Sequence, residues 1–388
     1  MQPIYLDYNS TTPVDSGVLK AMLPYLNAQF GNPSSAHTLG KRAHEAVEWA
    51  RSEVATLIGA FPDEIVFTSG GTEASNLAIR GAATVDPKRR AIVTTNIEHP
   101  ATEACCALLK RAGHSVRRVA ANADGCVDLA AVKKAMRKDT GLVTVIHAQN
   151  EIGTLQPVAE IARHAQNVGA LVHTDAAQSI GKICVDVDGL GVDLMSIAGH
   201  KLYAPKGIGA LYIRRGTKLL PLLVGAGQER GYRPGTENVA YAVGLGEACR
   251  LSSIALEKSA DQMASVADHF FRKLQQAVPG ISLVGHPTRR LPNTLNVLFP
   301  GVSGRQLLAA CPDVLASNGS ACHADSEEPS AILLALGIPS EMALGTVRLS
   351  LGRSTTIDEV NAAATSLVGA WYSLHQPVSK RVPRRARR

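Results

Sequence analysis

The sequence has no uninterrupted apolar stretch of the roughly 18 residues that a membrane-spanning helix needs, so membrane insertion is not expected. Its start, Met1-Gln2-Pro3-Ile4-Tyr5-Leu6-Asp7, lacks a basic segment leading into an apolar one, and no secretory signal is expected there. The seven cysteines, at 105, 106, 126, 184, 249, 311 and 322, include no CxxC pair and no paired zinc spacing, and their number is odd. A disulfide framework and a metal site are therefore not expected, and a reducing, cytoplasmic setting fits better. Most of these thiols read as small hydrophobes, such as Cys105 and Cys106 in the helical run 101–112. No internal repeat is visible, and neither a nucleoside-triphosphate P-loop nor GxGxxG occurs.

Charge is scarce as well, outside one place. The net charge is +7, but residues 379–388 hold six Lys/Arg and no acid, which leaves residues 1–378 at +1. A nearly neutral body excludes nucleic-acid binding as the business of the main fold. The tail at 377–388 reads either as a solvated, disordered end or as a contact for a polyanion or an acidic partner. With 45% apolar and 19% charged residues, the chain is expected to be a soluble globular protein with a large core.

What is present is alternation. Residues 65–68, 91–94, 116–120, 142–147, 171–175 and 194–197 are β-branched, apolar runs that read as strands. Helical patterns near 72–82, 100–112, 128–137 and 157–168 separate them, with Pro157 where a helix begins and Gly169 where it ends. Such alternation predicts an α/β fold with a mostly parallel sheet flanked by helices. Residues 207–213 follow the 194–197 strand after a loop too short for a crossover helix, so that pair is expected to be antiparallel. A long helical pattern over about 237–276 leads to a second region with strands at 294–299 and 346–351 and helices at 304–310, 330–337 and 357–374. This is expected to be a smaller α+β domain, joined by the first turns of the chain.

Three strand ends carry chemistry. Ser69-Gly70-Gly71-Thr72-Glu73-Ala74-Ser75-Asn76 follows a strand and opens a helix, where glycines let the backbone approach an anion and free N–H groups meet it. An ordinary helix start would look the same. Asp175, at the end of the 171–175 strand, points toward the crevice where such sheets bind ligands; it needs a cationic partner, or else simply caps the next helix. Lys201, in Ser196-Ile197-Ala198-Gly199-His200-Lys201, sits in an apolar, glycine-rich stretch that can desolvate its amine and make it nucleophilic. A phosphate cup, a strand-end Asp and a strand-end Lys on one sheet are together the fixtures of a pyridoxal-phosphate site.

With ten matching segments in order, these three among them, the chain resembles the cysteine desulfurases of the class-V aminotransferase family over about residues 4–375. These include Tyr5–Thr12, Phe30–Ser35, Ser69–Asn76, Glu98-His99-Pro100, Gln149–Gly153, Asp175–Gln178, Gly199-His200-Lys201, Arg233–Asn238, Gly319–Cys322 and Arg348–Arg353. The resemblance implies a fold-type I pyridoxal-phosphate enzyme. Its large cofactor-binding domain would span 16–258, and residues 1–15 with 259–376 would form the small domain carrying the catalytic cysteine loop. It further implies that Lys201 carries the cofactor covalently, Asp175 pairs with the pyridinium nitrogen, and Gln178 bonds the phenolic oxygen. His99 would stack on the ring and serve in proton transfer; Gly71, Thr72 and His200 would hold the phosphate. Thr236 matches a phosphate ligand supplied by a neighbouring subunit, which implies a homodimer. Arg348 would hold the substrate carboxylate with help from Asn150, which would also contact the cofactor; the task suits a planar bidentate donor, and a structural ion pair is the alternative for that arginine.

Cys322, in the small and polar run 317–325, matches the nucleophile. It would take sulfur from L-cysteine as a persulfide, release L-alanine, and pass the sulfur to an acceptor such as an iron–sulfur scaffold or a tRNA-thiolation protein. Ala198 departs from the family, many of whose members have a phosphate-touching serine there. His323, Gly227–Arg233 and Arg290–Thr294 resemble the related selenocysteine lyases, which release selenium and alanine from L-selenocysteine. A retained Cys322 speaks against a plain aminotransferase, since transamination needs no thiol.

Overall fold

The computed structural model describes residues 3–318 and 328–375. Cys322, His323 and the basic tail lie outside the described residues. In chain order the strands are β1 (Ile4–Tyr5), β2 (Ile65–Thr68), β3 (Ala91–Thr95), β4 (Ser115–Val119), β5 (Thr140–Ile146), β6 (Leu171–Asp175), β7 (Leu194–Ala198), β8 (Gly209–Ile213), β9 (Ser282–Val284), β10 (Thr294–Leu298), β11 (Val314–Leu315) and β12 (Thr346–Ser350).

Seven strands form the main sheet in the order β2-β8-β7-β6-β5-β3-β4. β8 is antiparallel to both its neighbours, in register Leu194↔Ile213 to Ala198↔Gly209 on one side, as the short loop predicts; the other pairs are parallel. Strands β2, β3, β7 and β8 are buried along their whole length, which is why they read as continuous apolar runs. β4 differs from that expectation. It is a largely exposed edge strand set one residue earlier than the apolar run, and Arg117 and Arg118 on it bond Asp139 and Glu103. Charged side chains on an edge discourage pairing with another chain.

The connecting helices are Gly71–Ala83, Pro100–Arg111, Leu129–Ala135 and Val158–Asn167. The third is shorter than its pattern because Asp128 caps it, accepting from the N–H groups of Ala130 and Ala131, and Met136 turns extended to enter the core. Helix Thr38–Ile58, which the alternation does not announce, buries Ala43, Val47, Ala50 and Val54 in the same core and stops at Gly59, whose φ is +70°.

A second core forms around the antiparallel sheet β12-β10-β9, with Phe270, Val297, Phe299, Val347, Leu349 and Trp371 inside it. The first turns of the chain do join it: β1 pairs with β11, Asp7 bridges Ser350, and Leu6 is fully buried there. Helix Val239–Ala277 serves both cores. It buries Val243, Leu245 and Cys249 in the first and Val266, Phe270 and Leu274 in the second. By length and composition it is also the one helix among the described residues able to cross a membrane, but these contacts mark it as a core helix.

Candidate active site

An open cleft runs along the carboxyl ends of β2, β3, β5, β6 and β7, where ligands bind in sheets of this kind. The strand order brings together residues that are far apart in sequence. β2 supplies the turn Ser69-Gly70 and the helix start at Gly71 and Thr72. β3 supplies Glu98 and His99, β5 supplies Asn150, β6 supplies Asp175 and Gln178, and β7 supplies His200 and Lys201; β12 adds Arg348 from the other core. All these residues line the one cleft. Thr236 does not: it is exposed and is not among the residues that line it.

The helix that begins at Gly71 has no side-chain cap, so its first backbone N–H groups lack intrahelical partners. Gly70 has a φ of +151°, and a Cβ there would meet nothing within 4 Å. A Cβ on Gly71 would come within 3.1 Å of the Ala198 Cβ, so the floor of the turn is packed while its mouth is open. Glu73 steadies the turn by accepting from the Ser69 N–H at 2.6 Å and from Arg233 Nε at 3.1 Å.

His99 is both a helix cap and a cleft residue. Its Nδ1 accepts from the Ala101 N–H at 3.2 Å, which leaves the proton of the neutral ring on Nε2. Burial pushes this imidazole below its ordinary value, the Asp175 carboxylate opposes that, and Lys201 adds to it. Asp175 Oδ1 accepts from the Ala177 N–H at 3.0 Å. Only a turn follows Asp175 and no helix begins there, so the helix-cap alternative is not realised; Asp175 lines the cleft. His200 is pushed down to about 4, chiefly by burial and then by Lys201 and Lys206, and its Nδ1 bonds the Thr11 hydroxyl at 3.2 Å.

Arg348 is almost fully buried. Nη1 donates to the Asn150 carbonyl at 3.1 Å, and Nη2 donates to Asp7 Oδ1 at 2.7 Å and to the Ser10 hydroxyl at 2.6 Å. The ion pair weighed for this arginine therefore exists, and the residue lines the cleft as well; its Nε has no hydrogen-bond partner among the described residues.

Over residues 4–363 the sequence matches the family model described as aminotransferase class-V. The chain belongs to the class-V aminotransferase family. It is 44% identical over 361 residues to the cysteine desulfurase IscS of Dictyoglomus turgidum, covering 92% of each chain. Among solved structures it resembles a NifS-like protein with a TM-score of 0.90 and 35% identity, covering 96% of this chain and 100% of the other. It also resembles the structure titled SspA in complex with cysteine, with a TM-score of 0.80 and 37% identity over 91% of this chain and 99% of that one.

Pyridoxal phosphate is the cofactor of this member of the family. The residues present fit it: an uncapped helix start with an open glycine for a phosphate, a strand-end carboxylate for a cationic ring nitrogen, and a lysine in the turn beyond the neighbouring strand.

Sequence reasoning passed over several residues here. Asn9 and Lys182 are buried behind Gln178, and Glu98 and Glu151 line the cleft as buried acids. Glu98 accepts from the Thr95 hydroxyl at 2.6 Å and the Ile146 N–H at 3.1 Å through Oε1, while Oε2 has no hydrogen-bond partner among the described residues. Glu151 Oε2 accepts from the Ser330 hydroxyl at 2.6 Å. Asn9, Glu98 and Glu151 lie inside matching segments, yet only their burial singles them out.

Proposed function

We propose that the chain converts L-cysteine to L-alanine and carries the removed sulfur as a persulfide on Cys322. It is a pyridoxal-phosphate-dependent cysteine desulfurase. The observation that carries this is the convergence, on one cleft, of the helix-start cup, Asp175, Gln178, Lys201 and Arg348 in a chain so similar to cysteine desulfurases.

Lys201 would hold the cofactor, Asp175 its ring nitrogen, Gln178 its phenolic oxygen, and Gly71, Thr72 and His200 its phosphate. When bound, the cofactor supplies an electron sink that acidifies the substrate Cα–H. Arg348 and Asn150 would hold the substrate carboxylate and so fix which bonds face the ring. His99 is suited to proton transfer in the cleft, since its lowered basicity keeps the ring neutral near pH 7.

The Cys322 thiolate attacks the substrate sulfur. An S–S bond forms, the Cβ–S bond breaks, and the electron pair passes to carbon, which takes up a proton. One cysteine and one enzyme thiol thus become one alanine and one enzyme persulfide, with no outside oxidant. The persulfide then goes to an acceptor protein, for which an iron–sulfur scaffold is the natural kind.

Thr236 is exposed and stands outside the cleft of its own chain, which supports the reading that it completes the phosphate site of a second copy in a homodimer. Residues 16–258 act as the cofactor domain, 1–15 with 259–376 as the small domain, and the protein works in the cytoplasm.

Paired turnover of the cofactor-loaded protein with L-cysteine and L-selenocysteine, with Cys322→Ala alongside, tests this. Alanine from cysteine that stops in the variant is expected. Alanine from selenocysteine alone would make the protein a selenocysteine lyase, and alanine from neither would overturn both activities.

A further inference from the structure

We infer that Lys182 is a positioning residue: its amine fixes the side-chain amide of Gln178 so that an N–H, and not the carbonyl oxygen, is offered to the cleft. This rests on the reading of the cleft as the pyridoxal-phosphate site and deepens it.

Lys182 lies four residues beyond Gln178, in the turns that follow β6, and is only 6% exposed. Its Nζ is 2.7 Å from Gln178 Oε1 and 3.1 Å from Asn9 Oδ1. Among the described residues no carboxylate lies within ion-pair distance of it. Burial, then Lys201 and Arg348, hold the amine well below the ordinary lysine value. Both of those neighbours are cationic. An apolar side chain would fill the place at less cost, because a buried amine without an acid is expensive to keep.

The two acceptors of this amine explain what it does. Gln178 Nε2 donates to the Asn9 carbonyl at 2.9 Å. Turning the amide over would set Oε1 against that carbonyl, acceptor to acceptor, and Nε2 against Lys182. Asn9 cannot adjust to relieve this. Its Oδ1 also accepts from Asn293 Nδ2 at 3.1 Å, its Nδ2 donates to Thr294 Oγ1 at 2.8 Å, and its own N–H donates to the Ser350 hydroxyl at 3.0 Å. The network joins the N-terminal segment to β6 and to the second core, so the orientation of one amide is set by three parts of the fold. Gln178 Nε2 keeps a second N–H, and Gln178 lines the cleft. A donor there favours a deprotonated phenolic oxygen on the cofactor; the carbonyl oxygen in its place would oppose it.

The wild type, Lys182→Met, Gln178→Ala and the double variant are loaded with pyridoxal 5′-phosphate. The visible absorption of the bound cofactor is titrated against pH, and thermal unfolding is followed in parallel. The midpoint is expected to rise by about 1 pH unit in each single variant and no further in the double, because Lys182 acts through Gln178. Lys182→Gln, whose amide can still donate to Gln178 Oε1, should restore most of the wild-type midpoint. Additive shifts, or a Lys182→Met midpoint equal to that of the wild type, would overturn the inference. If the methionine variant does not fold, Lys182→Ala carries the same expectation. A wild type that takes up no cofactor would sink the reading of the cleft itself, and this inference with it; a loaded wild type with an unmoved variant sinks only the inference.

Discussion

Arg348 and Asp7 form an ion pair at 2.7 Å that ties β12 to the segment just after β1, with the arginine side chain 2% exposed and the carboxylate 21%. The guanidinium is held in place before any substrate arrives, so little side-chain entropy remains to be lost on binding. Its backbone is held as well, by an isolated bridge to the segment just beyond β11: Ser317 and Arg348 exchange backbone hydrogen bonds at 2.7 and 3.3 Å.

Arg348→Lys should therefore raise the KM for L-cysteine about 30-fold, roughly 2 kcal/mol, with a smaller change in kcat. A lysine can keep one contact to Asp7 but cannot offer two parallel N–H groups to a carboxylate. Steady-state alanine formation measures this, and an unchanged KM would remove Arg348 from substrate binding.

Glu98 provides a test in pH. Burial pushes its carboxyl up to about 8, against the pull of the Thr95 and Ile146 donors and with help from Asp175 and Glu103. In the unfolded chain it titrates near 4.3. Between those two values the folded chain holds a proton that the unfolded chain has lost, so this group makes stability fall as pH rises through the window and level off above it. Glu98→Gln removes the effect. Its urea midpoint relative to wild type should climb steadily between about pH 5 and 8; parallel profiles would show that Glu98 is not protonated in the fold.

Arg51 and Glu229 are buried together, Nη1 and Nη2 each 2.8 Å from one carboxylate oxygen, and Glu229 also accepts from the Phe67 N–H on β2. Glu229 and Arg230 both have positive φ, at 47° and 56°, a conformation that neither residue favours. Removing one partner strands the other charge. Arg51→Met should cost about 3–5 kcal/mol in unfolding, and adding Glu229→Gln should recover part of it. A single variant as stable as wild type in denaturant titration would show that the pair does not pin this loop to β2.

Gly209 at the start of β8 faces the backbone of the Gly70 turn, the cup proposed for the phosphate. A Cβ there would stand 2.5 Å from the Ile197 carbonyl oxygen and 2.7 Å from Gly70 Cα. Neither neighbour is a flexible side-chain end. Gly209→Ala should cost about 1–3 kcal/mol of stability and displace the cup. Weaker retention of pyridoxal phosphate on dialysis, together with a lower Tm, is the expected result; full retention would mean that the cup tolerates the shift.

The sequence by itself determined the sheet. Nearly continuous β-branched runs such as Ile65–Thr68 and Ala91–Thr95 can be stable only with both faces covered, and a loop too short for a crossover helix forced β8 to run backwards. It also marked Gly71, Asp175 and Lys201, because a chemical group just past a buried strand has one place to be. Periodicity could not tell the charged edge strand β4 from its buried neighbours: Val116 and Val119, three residues apart, point to opposite faces, as apolar residues do in a strand covered on both sides, and only the strand order puts Arg117 and Arg118 at an edge. Only the tertiary structure decided what stands behind the site. Nothing in the local sequence sets Lys182 or Asn9 apart; the N-terminal segment packs beside the turns after β6 and both side chains are closed off from water. The cost of burying a polar group depends on partners hundreds of residues away, and no local pattern encodes that cost.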